Sequence, residues 1–175
     1  MSDKVKICLV GATAVGKTSL VSRFARSIFS DRYRTTIGVS IETREIRRGN
    51  HSTQLVIWDL SGEDEFQNVQ PAYFRGAGGY LLVIDGQRAE TVETARALRA
   101  RLQATVGPLP FVAAINKSDL DDGSGAARSD LERLEREGWL LVYTSAKTGK
   151  GVDEAFGRLV DVIHGTRAEA WNRAT

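Results

Sequence analysis

Five runs of β-branched and apolar residues, VKICLV (5–10), TQLVIWDL (53–60), YLLVID (80–85), FVAAIN (111–116) and WLLVYTS (139–145), are mostly too continuously apolar for a sheet with one wet face. Strands of this kind are buried on both faces, which calls for helices on both sides of the sheet and parallel pairing. The intervening segments have the helical period: TSLVSRFARSIF (18–29), ETVETARALRARLQATV (90–106), SDLERLERE (129–137) and GVDEAFGRLVDVIHG (151–165). In the last of these, Val152, Phe156, Leu159, Val160 and Ile163 fall on one face. The alternation predicts a doubly wound α/β fold with a mostly parallel sheet. VSIETREIRRGNHSTQLVIWD (39–59) departs from it, because two alternating runs around Gly49-Asn50 predict a hairpin that places one antiparallel strand at an edge.

With 175 residues, 42% of them hydrophobic, the chain can fill one core without disulfides or a structural metal. Cys8 lies inside the first apolar run and reads as a small hydrophobe. No apolar run reaches the roughly 18 residues of a membrane span, and MSDKVKICLVG lacks the layout of a signal peptide, so a cytoplasmic protein is expected. The 18 arginines raise the question of a nucleic-acid or membrane surface, but net charge is only +2 and the arginines are interleaved with acids. That pattern describes a solvated face, and no nucleic-acid partner is expected.

Directly after the first strand comes GATAVGKTS (11–19), which fits G-x-x-x-x-G-K-S/T and precedes a helical pattern. Gly11 and Gly16 let the backbone curl so that N–H groups of Thr13, Ala14, Val15 and their successors face inward, and the helix adds its positive end. Lys17 would neutralise β- and γ-phosphates, the Thr18 hydroxyl would bind Mg²⁺, and Ser19 would reach the α-phosphate. NKSD (116–119) closes the fourth run, where the carboxyl ends of parallel strands form a ligand crevice. Asp119 can accept from the N1–H and exocyclic amine of guanine, a donor pair that adenine lacks. Lys117 would lie along base and ribose, and Asn116 would tie this loop to the phosphate loop. Ser145-Ala146-Lys147 stands at the end of the fifth run, where the Ala146 N–H could reach the guanine oxygen. An ATPase or nucleotide kinase also carries such a phosphate loop, and NKSD disfavours both.

In this order the motifs resemble the Ras superfamily of small GTPases, Rab-like branch, from about residue 4 to 165, with a short tail beyond, in one P-loop GTP-binding domain over 1–175. TTIGVS (35–40) is similar to the family's first switch and WDLSGED (58–64) to its second; AYFRGAGGYLLVID (72–85) and YTSAKTGKGVDEAF (143–156) also match that branch. The resemblance implies that Thr36 ligates Mg²⁺ and contacts the γ-phosphate, that Asp59 holds Mg²⁺ through water, and that the Gly62 N–H senses the γ-phosphate. Loss of that phosphate would relax both switches. Phe29 matches the aromatic that packs against guanine, with a core role as the alternative, and Tyr33 matches the tyrosine that closes over the phosphates. Trp58 and Tyr73 match two members of the aromatic triad that meets effectors, while the third position is Ile41. Effectors, and exchange or activating proteins, are the partners implied for a monomer.

Three departures bear on the chemistry. Thr13 and Ala14 stand where glycine is frequent, and Thr13 would crowd an arginine finger supplied in trans. Glu63 replaces the glutamine that orients the attacking water; an ionised glutamate accepts and does not donate. At ~4 Å and an effective dielectric of ~20, each like-charge pair with a phosphoryl oxygen costs on the order of 4 kcal/mol unless the side chain swings out. Against that, proximity to phosphate would favour the protonated form of such a carboxyl, which could act as a general base or, when protonated, as a donor. Slow GTP hydrolysis follows, with Lys17, Thr36, Gly62 and Glu63 as the catalytic set. The alternative is a non-hydrolysing scaffold locked in one state. The ending GTRAEAWNRAT has no cysteine for a prenyl anchor, so membrane association is expected only through partners.

Overall fold

The computed structural model of the chain describes residues 3–25, 33–35, 39–49, 51–60, 70–120 and 127–174, with backbone alone for 33–35 and 167–174. Among the described residues are seven strands, β1 (Asp3–Gly11), β2 (Tyr33–Thr35), β3 (Val39–Arg48), β4 (His51–Asp59), β5 (Ala77–Asp85), β6 (Phe111–Asn116) and β7 (Leu141–Tyr143), and the α-helices α1 (Lys17–Ala25), after β1, α2 (Ala89–Thr105), after β5, α3 (Arg128–Arg136), after β6, and α4 (Val152–Ala174), after β7. The sheet order is β2-β3-β4-β1-β5-β6-β7. β4, β1, β5, β6 and β7 pair in parallel, and β3 runs antiparallel to both β4 and β2. The antiparallel hairpin is present, and its register runs from Ser40–Asp59 to Arg48–His51. Three residues of β2 add a further strand outside it, so the single antiparallel strand lies one position in from the edge.

The continuous apolar runs divide by parity. Val5, Ile7 and Leu9 of β1 and Leu81 and Val83 of β5 join α1 and α4 in one core, while Cys8 and Val10, and Tyr80, Leu82 and Ile84, join α2 and α3 in the other. Strand side chains alternate between faces, so a strand buried twice must be apolar throughout. Phe24 of α1 stacks on Phe156 of α4 with centroids 3.8 Å apart, and both are fully buried. Burial pushes the Cys8 thiol up to about 12, consistent with a packing role.

Two boundaries differ from the sequence expectation. The run WLLVYTS yields only a three-residue strand: Trp139 is buried against the α2/α3 face, Thr144 still donates its N–H to the Ile115 carbonyl at 2.7 Å, and the Ser145 N–H turns instead to the Lys150 carbonyl at 2.9 Å. The segment expected as a tail is helical to Ala174: Gly165 costs about 1 kcal/mol against Ala, and the residues after it include strong helix formers such as Arg167, Ala168, Glu169 and Ala170.

Candidate functional site

The parallel strands β1, β4, β5, β6 and β7 point their carboxyl ends to one side, where they end on Gly11, Asp59, Asp85, Asn116 and, just beyond β7, Thr144. At this end of a doubly wound sheet the loops, rather than the helices, cover the strands, leaving a crevice.

Between β1 and α1 the backbone must turn inside a narrow space. A Cβ on Gly11 would run into the Val83 carbonyl oxygen, and one on Gly16 (φ +101°) would meet the Asn116 amide. Val15, fully buried, pins the middle of the loop. The turn ends at Lys17, the first residue of α1, so the positive N-terminal end of that helix meets the loop. Lys17 is 3% exposed, and its ammonium donates to the Gly11 and Ala12 carbonyls at 3.0 and 2.9 Å. Thr18 sits in that same turn and its hydroxyl donates to the Asp59 carboxylate at 2.6 Å. Ser19 is exposed beside it.

The second half of the site is organised by Asn116, which is 1% exposed. Its Nδ2 donates to the Val15 carbonyl at 2.9 Å, and its Oδ1 accepts from the Ala146 N–H at 3.1 Å and the Thr144 hydroxyl at 3.3 Å. One side chain therefore joins the phosphate loop, the NKSD loop and the SAK loop. Lys117, at φ +64°, donates to the Ala14 carbonyl at 3.0 Å and pairs with Asp85 at 2.7 Å. The Ser145 hydroxyl donates to Asp119 at 2.6 Å and accepts from the Thr148 N–H at 3.1 Å. That hydroxyl, aided by the field of Lys147, holds the Asp119 carboxyl below its ordinary value.

A depressed pKa keeps Asp119 ionised, and its capacity to accept two hydrogen bonds is lost only as pH falls through that lowered value. The Asp119 contribution to binding a guanine base, read as the ratio of guanosine affinity in wild type to that in Asp119→Asn, should therefore stay flat from pH 8 to about 5 and fall only below the ordinary carboxylate value of about 3.9. Fluorescence titration across that range checks it.

The sequence motifs missed Asp85 and Thr144. Asp85 is 2% exposed at the end of β5; burial pushes its carboxyl up, but donors from Lys117, the Gln87 N–H and Arg88 outweigh that and hold it low. A carboxylate closing an otherwise apolar strand at its carboxyl end was the available signal. Trp58 and Tyr73 lie with ring centroids 6.4 Å apart, Ile41 is the cross-strand partner of Trp58, and the Lys6 ammonium sits 3.8 Å over the Trp58 ring. Tyr33 pairs through its backbone with Ile41. Phe29, Thr36, Gly62 and Glu63 lie outside the described residues.

The donors present suit a small hard cation. Thr18 and Asp59 put a hydroxyl and a carboxylate side by side, and among the described residues no group of three or more His, Cys, Asp or Glu forms a metal cage. Mg²⁺ is commonly held in this way, by one or two protein oxygens with the rest from phosphate and water.

Residues 6–165 match the Ras family. Ras-related protein RABA4b of Arabidopsis thaliana is 36% identical over 163 residues, covering 92% of this chain and 73% of that protein. Ras-related protein Rab-31 of Homo sapiens is 35% identical over 156 residues (87% and 80%), and Ras-related protein Rab7A of Mesembryanthemum crystallinum is 34% identical over 164 residues (87% and 78%).

Proposed function

The chain belongs to the Ras family of small GTPases, in its Rab branch, and from that premise we propose a Mg²⁺-dependent GTP/GDP switch that hydrolyses GTP slowly. The observation that supports this reading most is the position of Asn116, whose two ends join the phosphate loop to the base-recognition loops. Asp119, oriented by Ser145, accepts the guanine donors, and Lys117 and Lys147 flank the base. The N–H groups of residues 13–18 and the Lys17 ammonium take the phosphates, with Ser19 reaching the α-phosphate. Thr18, Asp59 and Thr36 would hold Mg²⁺, which when bound neutralises charge on the phosphoryl oxygens.

In hydrolysis a water oxygen bonds to the γ-phosphorus as the bond to the β–γ bridging oxygen breaks. The Lys17 ammonium and the loop amides stabilise the charge that moves onto the leaving oxygen, and Glu63 would serve as the acceptor for the water's proton. Departure of phosphate frees Thr36 and Gly62, which changes the surface formed by switch I, Ile41, Trp58 and Tyr73 where effectors would bind.

Single-turnover hydrolysis by wild type and Glu63→Gln tests the reading. Wild type should release phosphate slowly, and Glu63→Gln should shift the rate by about tenfold or less, since Lys17 and the loop amides carry most of the stabilisation. No release above buffer over hours, with GTP bound, would leave the non-hydrolysing scaffold suggested by Glu63 and Thr13.

A further inference from the structure

We infer that Arg88 is a positioning residue for the phosphate loop, seated on Asp85 so that its guanidinium holds the Thr13 carbonyl and aims the next N–H at the nucleotide. The inference rests on reading residues 11–18 as the phosphate site. Asp85 Oδ2 receives Arg88 Nε at 3.0 Å and Lys117 Nζ at 2.7 Å, while Oδ1 receives the Gln87 N–H at 3.0 Å. Each cation then reaches the loop: Arg88 Nη2 donates to the Thr13 carbonyl at 2.9 Å and Lys117 Nζ to the Ala14 carbonyl at 3.0 Å. One buried carboxylate thus anchors two cations on consecutive peptide groups.

The consequence follows from peptide planarity. In a trans peptide the C=O and the following N–H point opposite ways, so pinning the carbonyls of Thr13 and Ala14 against Arg88 and Lys117 turns the N–H groups of Ala14 and Val15 away from them, toward the concave side of the loop. The hold has a specific burden here, because Ala14 sits at φ +60°, a conformation that glycine tolerates and alanine resists. Where glycine is frequent the loop takes this shape freely; here Thr13 and Ala14 need it imposed.

Arginine suits the task for a geometric reason. Its planar fork presents Nε to Asp85 and Nη2 to Thr13 at once, which a lysine ammonium does less rigidly. The launch point is fixed as well: Arg88 precedes α2, and its carbonyl accepts both the N–H and the hydroxyl of Thr91, at 3.1 and 2.7 Å.

The test is the dissociation rate of fluorescent GDP, chased with unlabelled GDP, for wild type, Arg88→Ala, Arg88→Lys, Ala14→Gly and the Arg88→Ala/Ala14→Gly pair. Loss of a charge-assisted hydrogen bond predicts release about tenfold faster for Arg88→Ala, with Arg88→Lys in between. If the guanidinium imposes the Ala14 conformation, the Arg88→Ala effect shrinks to about threefold or less in the Ala14→Gly background. Rates within about twofold of wild type, or equal effects in both backgrounds, overturn the inference. Should wild type hold no guanine nucleotide, the proposed function falls, and amide hydrogen exchange of the 11–17 segment decides the inference separately. Arg88→Ala then speeds exchange there selectively, and unchanged exchange overturns it.

Discussion

Replacing Asp119 with Asn should lower GDP affinity on the order of 10³- to 10⁴-fold and raise affinity for xanthosine diphosphate, as measured by competition against fluorescent GDP. The carboxylate meets two donors of guanine with two acceptors. Asparagine keeps one acceptor and turns an NH₂ toward a ring edge that also donates, so a donor faces a donor and neither is satisfied. Xanthine carries a carbonyl where guanine carries its amine, and the new NH₂ pairs with it. The change should spare the fold, because Asp119 is at the surface and an asparagine Oδ1 still accepts the Ser145 hydroxyl now held at 2.6 Å. Selectivity moves while stability does not. An Asp119→Asn variant that loses GDP and xanthosine diphosphate together, or neither, would remove Asp119 from the base.

That prediction is legible in the sequence alone, and the reason is chemical. Gly11, Gly16, Lys17, Asn116 and Asp119 are residue types fixed by the shape and charge of what they hold, so spacing alone carries them. The doubly wound architecture was legible for a related reason: strands buried on both faces cannot hide their apolar continuity, as β1, β5 and β6 illustrate. What the spacing did not carry is what depends on pairing across the sheet. Asp85 and Arg88 become a clamp only because β5 lies beside β1 and Lys117 follows β6. Read locally, Asp85 is a strand end and Arg88 one arginine among 18. Strand β7 came out shorter than its apolar run because Trp139 serves the helix-covered core, a choice made by tertiary packing over local propensity. Glu63, the residue whose chemistry the sequence puts in most doubt, lies outside the described residues, and kinetics rather than geometry will decide it.

Asn116→Ala is the variant in which stability and function should fail together. The side chain makes three hydrogen bonds inside a site that excludes water almost completely, since Asn116 is 1% exposed. Truncation strands the Val15 carbonyl and the Ala146 N–H, each worth about 1–3 kcal/mol when left unpaired, so urea unfolding at fixed GDP should lose about 2–4 kcal/mol. Part of any loss reflects weaker ligand binding, because GDP stabilises the folded state by mass action. The release rate separates the parts and should rise on the order of 10²-fold, since the phosphate loop and the base loops no longer share a strut. Asn116→Asp refines the assignment: its oxygens still accept from Ala146 and Thr144, yet it meets the Val15 carbonyl with an acceptor instead of a donor. If the strut to Val15 governs retention, the Asn116→Asp and Asn116→Ala variants release GDP at similar rates while Asn116→Asp keeps the SAK loop ordered, seen as protected exchange at residues 145–150. Release from Asn116→Asp as slow as from wild type would place the retention instead in the Ala146 half of the site.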